Sequence, residues 1–180
     1  MKKYKCTVCG HIQDTNHKCE LCGVGPEKFV EVEIDEENLV WAQEHELGSA
    51  KGVDAEIYAG LLSCFDAEVT EVGMYLAMAR VAYREGYPEI GEVLRQIAWE
   101  EADHAAKFEE LAQDKIFSTT KENLNKMIHG ENGACELRWE IAKKAKQLNL
   151  DAIHDTVHEI SKDEARHGKA LQGLLKRYFQ

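Results

Sequence analysis

The tightest constraint on this chain is an acid–histidine doublet that occurs twice. Glu101 and His104 lie in "EEADHAAKF", and Glu164 and His167 in "DEARHGKAL", each inside a run of helical apolar spacing. Residues three apart on a helix project from one face, so each acid shares a side with its histidine. In both cases that side is the apolar stripe. Unpaired charges facing a core would cost several kcal/mol per ion. A bound cation removes that cost, so the doublets point to metal.

A single Glu-x-x-His on an acidic helix is usually solvent-facing, but a repeat weighs against that reading here. A shift of 63 residues lays Ile90 on Ile153, Leu94 on Val157, Ile97 on Ile160 and Phe108 on Leu171. The same shift carries Glu68 to Glu131, Glu101 to Glu164 and His104 to His167, so each doublet has a partner glutamate 33 residues before it. This describes two helical hairpins related by a pseudo-two-fold axis, each giving a glutamate from its first helix and a doublet from its second. Four carboxylates and two imidazoles suit two iron or manganese ions better than zinc.

Glu71 breaks the symmetry. It follows Glu68 by one turn and can serve as a seventh ligand, whereas its repeat partner, Ala134, cannot bind metal. Tyr75 faces the same core, where its hydroxyl either bonds a ligand carboxylate or packs. Glu136 and Glu140 fall off the stripe and read as surface residues. His154 and His158 lie beside the stripe, and Cys64 and Cys135 read as small core residues.

The surrounding pattern is all-α. Four long amphipathic helices are expected from residue 54 to 180, with Gly86 and Pro88 punctuating the first connection and "FSTT" preceding the third helix. Short connections between such helices make a four-helix bundle. Residues 34–53 read as a linker with one short helix. Residues 1–33 show no helical period and hold Cys6, Cys9, Cys19 and Cys22 in "YKCTVCG" and "HKCELCG". Two facing Cys-x-x-Cys-Gly knuckles form a tetrahedral four-sulfur site, which holds structural zinc or a single redox iron equally well. A domain this small needs such a metal to fold.

Composition excludes several classes. A net charge of −11 argues against nucleic acid, and no run of 18 apolar residues supports a membrane span. Without a secretory signal, six cysteines are expected as reduced thiols or metal ligands in a cytoplasmic protein.

Taken together, "DAEVTEVGMYLAMARVA" with Glu68, "EEADHAAKF", "HGENGACE" with Glu131, "DEARHGKAL" and the knuckles in front resemble the reverse rubrerythrins along essentially the whole chain. The resemblance implies a ferritin-like bundle carrying a non-haem di-iron site, preceded by a rubredoxin-like domain with one iron on four cysteines. It implies reduction of hydrogen peroxide, and often dioxygen, to water in anaerobic cells, with electrons from NADH through a flavin reductase. It also implies a homodimer in which the rubredoxin centre of one subunit serves the di-iron site of the other. Glu71 and Tyr75 take catalytic roles in this picture. Tail-end rubrerythrins carry an extra glutamate on the third bundle helix, where this chain has Ala134. Reflection of that glutamate to Glu71 implies a carboxylate that trades with His167 as one iron changes oxidation state. The alternative from another class is a ferritin-like iron store with a structural zinc ribbon.

Overall fold

The computed structural model describes residues 2–34 and 41–179. These fall into two units, Met1–His45 and Glu46–Gln180. The first is a three-stranded antiparallel sheet in the order β2-β1-β3, from β1 (Lys2–Cys6), β2 (Ile12–Gln13) and β3 (Phe29–Glu33). Cys6 pairs with Phe29, and Tyr4 pairs with Gln13 on the other side. Among the described residues of this unit, only Cys6, Gln13 and Cys19 are buried. So little apolar burial cannot offset the entropy of ordering the chain, and the four cysteines carry that burden.

The second unit is all-α, with four helices in a bundle-like arrangement: α1 (Ala55–Glu85), α2 (Pro88–Ala112), α3 (Thr120–Gln147) and α4 (Asp151–Phe179). Their ends follow local chemistry. The Asp54 carboxylate caps α1 by accepting from the Glu56 and Ile57 N–H groups at 2.9 and 3.3 Å. Gly86 ends α1 at φ 86°, a left-handed conformation that glycine adopts without strain, and Pro88 opens α2. Thr119 Oγ1 accepts from the Glu122 N–H while its hydroxyl donates to the Glu122 carboxylate at 2.6 Å. Of the expected linker, residues 35–40 lie outside the described residues, and 41–53 carry turns without helix.

The helices pack pairwise, α1 on α2 and α3 on α4, with at most marginal contact between the two hairpins. Small residues build these seams. Ala79, Ala82, Ala98 and Ala112 are buried in the first hairpin, and at the same 63-residue shift Ala142, Ala145, Ser161 and Leu175 are buried in the second. Small side chains let helix axes approach closely, which favours these seams over others. Several larger apolar residues of the stripes, among them Met78, Ile90, Ile141, Ile153 and Ile160, remain exposed. Cys64, expected as a core residue, is exposed for this reason, whereas Cys135 is half-buried.

Candidate metal centres

The structure gathers Cys6, Cys9, Cys19 and Cys22 so that their sulfurs lie within 4.8 Å of one another. Cys6 and Cys22 are 3.7 Å apart, as are Cys9 and Cys19. The Cys-x-x-Cys-Gly pattern explains the geometry. Gly10 and Gly23 take φ of 77° and 74°, which turns each knuckle back beneath its sulfurs. Backbone N–H groups then point at sulfur: those of Cys9 and Val8 at Cys6, of His11 at Cys9, of Cys22 and Leu21 at Cys19, and of Val24 at Cys22.

These donors stabilise thiolate. The Cys22 N–H in particular draws Cys19 down to about 6, against the effect of burial. Cys22 rises to about 12 even though the Val24 N–H lowers it, because the thiols of Cys9, Cys19 and Cys6 and its own burial win. Four thiols this close cannot all ionise without a cation. The pre-aimed N–H groups therefore fit a tetrahedral four-sulfur metal.

In the helical unit the structure forms two further clusters, Glu68 with Glu101 and His104, and Glu131 with Glu164 and His167, each with ligand atoms within 4.8 Å. In the first, His104 Nδ1 is 3.0 Å from Glu101 and 3.8 Å from Glu68. In the second, His167 Nδ1 is 3.5 Å from Glu164 and 3.7 Å from Glu131. Each glutamate pair is hydrogen-bonded carboxyl to carboxyl. Glu101 holds Glu68 above the usual carboxylate range, and Glu164 does the same to Glu131, while Glu101 and Glu164 are both lowered. A pair that must share a proton is a pair that a cation can bridge in its place, so the donors fit oxygen- and nitrogen-loving metals.

Not every expected residue joins these clusters. Glu71 lies near enough to raise Glu68 further, yet its carboxylate stands outside the cluster. The Tyr75 hydroxyl bonds no cluster carboxylate, and the ring is half-buried on α1 beside Glu71. The His158 ring lies tilted against those of His154 and Trp139, with centroids 5.3 and 5.0 Å apart. One contact was absent from the sequence reasoning: Arg138 Nε donates to Glu164 at 3.1 Å. Arg138 is the 63-residue partner of Tyr75, so the repeat was the signal that could have found it.

The rubrerythrin family model matches residues 60–175, a span that contains both Glu/His clusters. The chain belongs to the rubrerythrin family. It is 57% identical over 183 aligned positions to reverse rubrerythrin-1 of Clostridium acetobutylicum, with all of both chains covered. It is 48% identical to an uncharacterized protein of Methanocaldococcus jannaschii over 137 positions, which span 76% of this chain and 95% of that one. A rubrerythrin of Porphyromonas gingivalis is 30% identical over 139 positions, or 71% of this chain and 68% of its own. The four-cysteine unit precedes the helices, and the three clusters fit the family's complement of one iron on sulfur and two on carboxylate and imidazole. The chain is a di-iron oxidoreductase of the kind deployed against oxidative stress. Among the described residues, no helix is long and apolar enough to cross a membrane.

Proposed function

We propose that this chain is a cytoplasmic peroxidase that reduces hydrogen peroxide to water, with dioxygen as a second oxidant. Its electrons would come from NADH through a flavin reductase and then through an iron held by Cys6, Cys9, Cys19 and Cys22. One observation carries the reading: two matched Glu-Glu-His clusters occur in the same chain as a four-thiol site. An iron store has no use for a second redox centre, whereas a two-electron reduction needs refilling in single-electron steps. When bound, the paired irons would supply two electrons to the O–O bond and the four-sulfur iron would replace them singly.

The residues have separate tasks. Glu68, Glu101 and His104 would hold one cation, and Glu131, Glu164 and His167 the other. Their four carboxylates offset the charge of two cations, which lets both sit on an apolar face. Two protons must accompany two electrons to turn one peroxide into two waters. Glu71, near Glu68, and Tyr75, beside Glu71, are the groups we assign to proton delivery. In the same reading Glu71 trades with His167 as the oxidation state changes. Structures of both oxidation states without movement of either would remove that part.

The test is a stopped-flow experiment. Reduced protein, prepared without oxygen, receives one equivalent of peroxide while the thiolate-to-iron bands are followed. Rapid return of the ferric four-sulfur colour is expected, and Cys9→Ser should lose NADH-driven turnover while keeping one stoichiometric reaction with peroxide. Zinc in the knuckles and no peroxide consumption would replace this reading with the storage one.

A further inference from the structure

The two hairpins share their cluster residues but not the space behind them. In the second hairpin a cavity of ≈ 160 Å³ lies between α3 and α4, with Asn132, Cys135, Glu164, Gly168, Lys169 and Gln172 in its wall. Glu164 therefore faces both this cavity and its cluster. The cavity shares Asn132, Cys135 and Ala165 with a groove of ≈ 490 Å³ beside Trp139 and His158. The two spaces meet at Asn132 and Cys135, and Asn132 is exposed to solvent. The inner space is well above the roughly 10–15 Å³ that one water needs.

The cavity and the histidine lie on opposite sides of Glu164. Counting about 100° per residue around α4, His167 lies roughly 60° to one side of Glu164. Gly168, Gln172 and Lys169 lie roughly 40–140° to the other, the side of buried Ser161 and Leu175. On α3 the same count from Glu131 sets Cys135 and Asn132 roughly 40–100° away. The cavity thus approaches Glu164 from across the α3/α4 seam, and it stays open whatever covers the histidine face.

The repeat shows that this space is particular to one half. At the 63-residue shift, Asn132 replaces Val69, Cys135 replaces Val72, Gly168 replaces Ala105 and Lys169 replaces Ala106. Ala105 is buried, whereas Gly168 is half-buried. A Cβ at Gly168 would stand 3.4 Å from the Glu131 Cβ, so glycine leaves room there that alanine would fill. At the far end Gln172 replaces Glu109. Glu109 is buried, its carboxylate accepting from the N–H groups of Lys115 and Ile116 at 2.5 and 2.8 Å, whereas Gln172 is exposed. The neck is also held in place. Buried Ser161, where the first hairpin has Ala98, donates to the Cys135 carbonyl at 3.0 Å and lies 3.6 Å from its sulfur.

We infer that this cavity is a polar side entrance through which hydrogen peroxide reaches the Glu164 half-site, with Asn132 and Cys135 at its neck. Peroxide is small and neutral, and like water it both donates and accepts hydrogen bonds. A polar space with several partners admits such a molecule, and the amides of Asn132 and Gln172 and the Lys169 ammonium supply them. The valines and alanines at the matching positions of the first hairpin offer none. The inference rests on the peroxidase reading above, and it gives the second half-site the incoming substrate.

Two ways of narrowing the neck test it in the full-length, metal-loaded protein. Asn132→Leu with Cys135→Leu fills the neck and removes its polar groups without replacing a cluster residue. Peroxide kcat/KM should fall about tenfold while kcat stays within about twofold, because only the approach of substrate changes. Iron content should match the wild type. The second way needs no refolding. In Cys64→Ala, Cys135 should react with methyl methanethiosulfonate at least about tenfold faster than with the bulkier trimethylammonioethyl analogue, read by mass. The methylthio adduct should then reproduce the loss in kcat/KM. Equal rates with the two reagents would overturn the neck. Unchanged kcat/KM in both narrowed forms, or an equal fall in kcat or a loss of iron in both, would overturn the entrance. A wild type that consumes no peroxide while Cys135 keeps its size selectivity would instead overturn the peroxidase reading, and the entrance with it.

Discussion

The two hairpins present the same three ligands in different electrostatic settings. In the first, His104 turns to Glu101 at 3.0 Å, and an additional acid, Glu71, raises Glu68. In the second, His167 stands 3.5 Å from Glu164, Ala134 replaces the additional acid, and Arg138 bonds Glu164 at 3.1 Å. One half thus has an extra negative charge and the other an extra positive one. Donor identity is duplicated because metal coordination demands it. The neighbours are not duplicated, so cations in the two clusters would meet different fields.

The largest effect tests whether the halves are equally necessary. Glu101→Ala and Glu164→Ala should each lower peroxide turnover by more than about 100-fold, since losing even an outer-shell partner costs 10–100-fold. Steady-state turnover on peroxide measures it, and more than a tenth of wild-type activity in either variant would break the equivalence. Next comes the asymmetry itself. Glu71→Ala should lower turnover by about 10–100-fold while changing the sedimentation behaviour little. A loss of under twofold would make Glu71 a surface acid and the halves functionally alike.

Arg138→Met should act more weakly and in the opposite direction. The guanidinium competes with a cation for Glu164, so removing about 1 kcal/mol of that attraction should tighten cobalt binding by about fivefold. A competitive titration against a chelator reads it, and weaker binding would instead make Arg138 a group that positions Glu164. The smallest expected difference is in pH dependence. Glu68 and Glu131 both hold their protons above the usual carboxylate range, each because of a neighbouring glutamate. A cation must displace those protons, so affinity should fall with acidification through the raised values and level off above them. Because the cause is shared, both halves should follow parallel curves when one is disabled by substitution, and divergent curves would show that Glu71 or Arg138 governs the proton.

Much of the site was legible along the chain. The doublets and the cysteine knuckles follow from spacings of three residues, which fix direction on a helix or turn with no tertiary information, and the partner glutamates follow from the 63-residue repeat. Arg138 was not legible in the same way. Its role depends on Glu164 approaching from another helix, and an arginine on α3 otherwise reads as solvated. Cys64 reads as core because it lies on the apolar face, but that face is uncovered in the single chain. Glu109 gave no signal at all, since only the path of residues 113–119 turns its carboxylate onto two backbone N–H groups.

The sequence by itself determined four amphipathic helices, a four-sulfur knuckle pair and two equivalent metal half-sites. Each of these depends on periodicity or on neighbours a few residues away, whose energies add locally. Which apolar faces meet was decided only by the tertiary structure. The two stripes are nearly identical, and which faces meet within each hairpin falls to the small-residue seams.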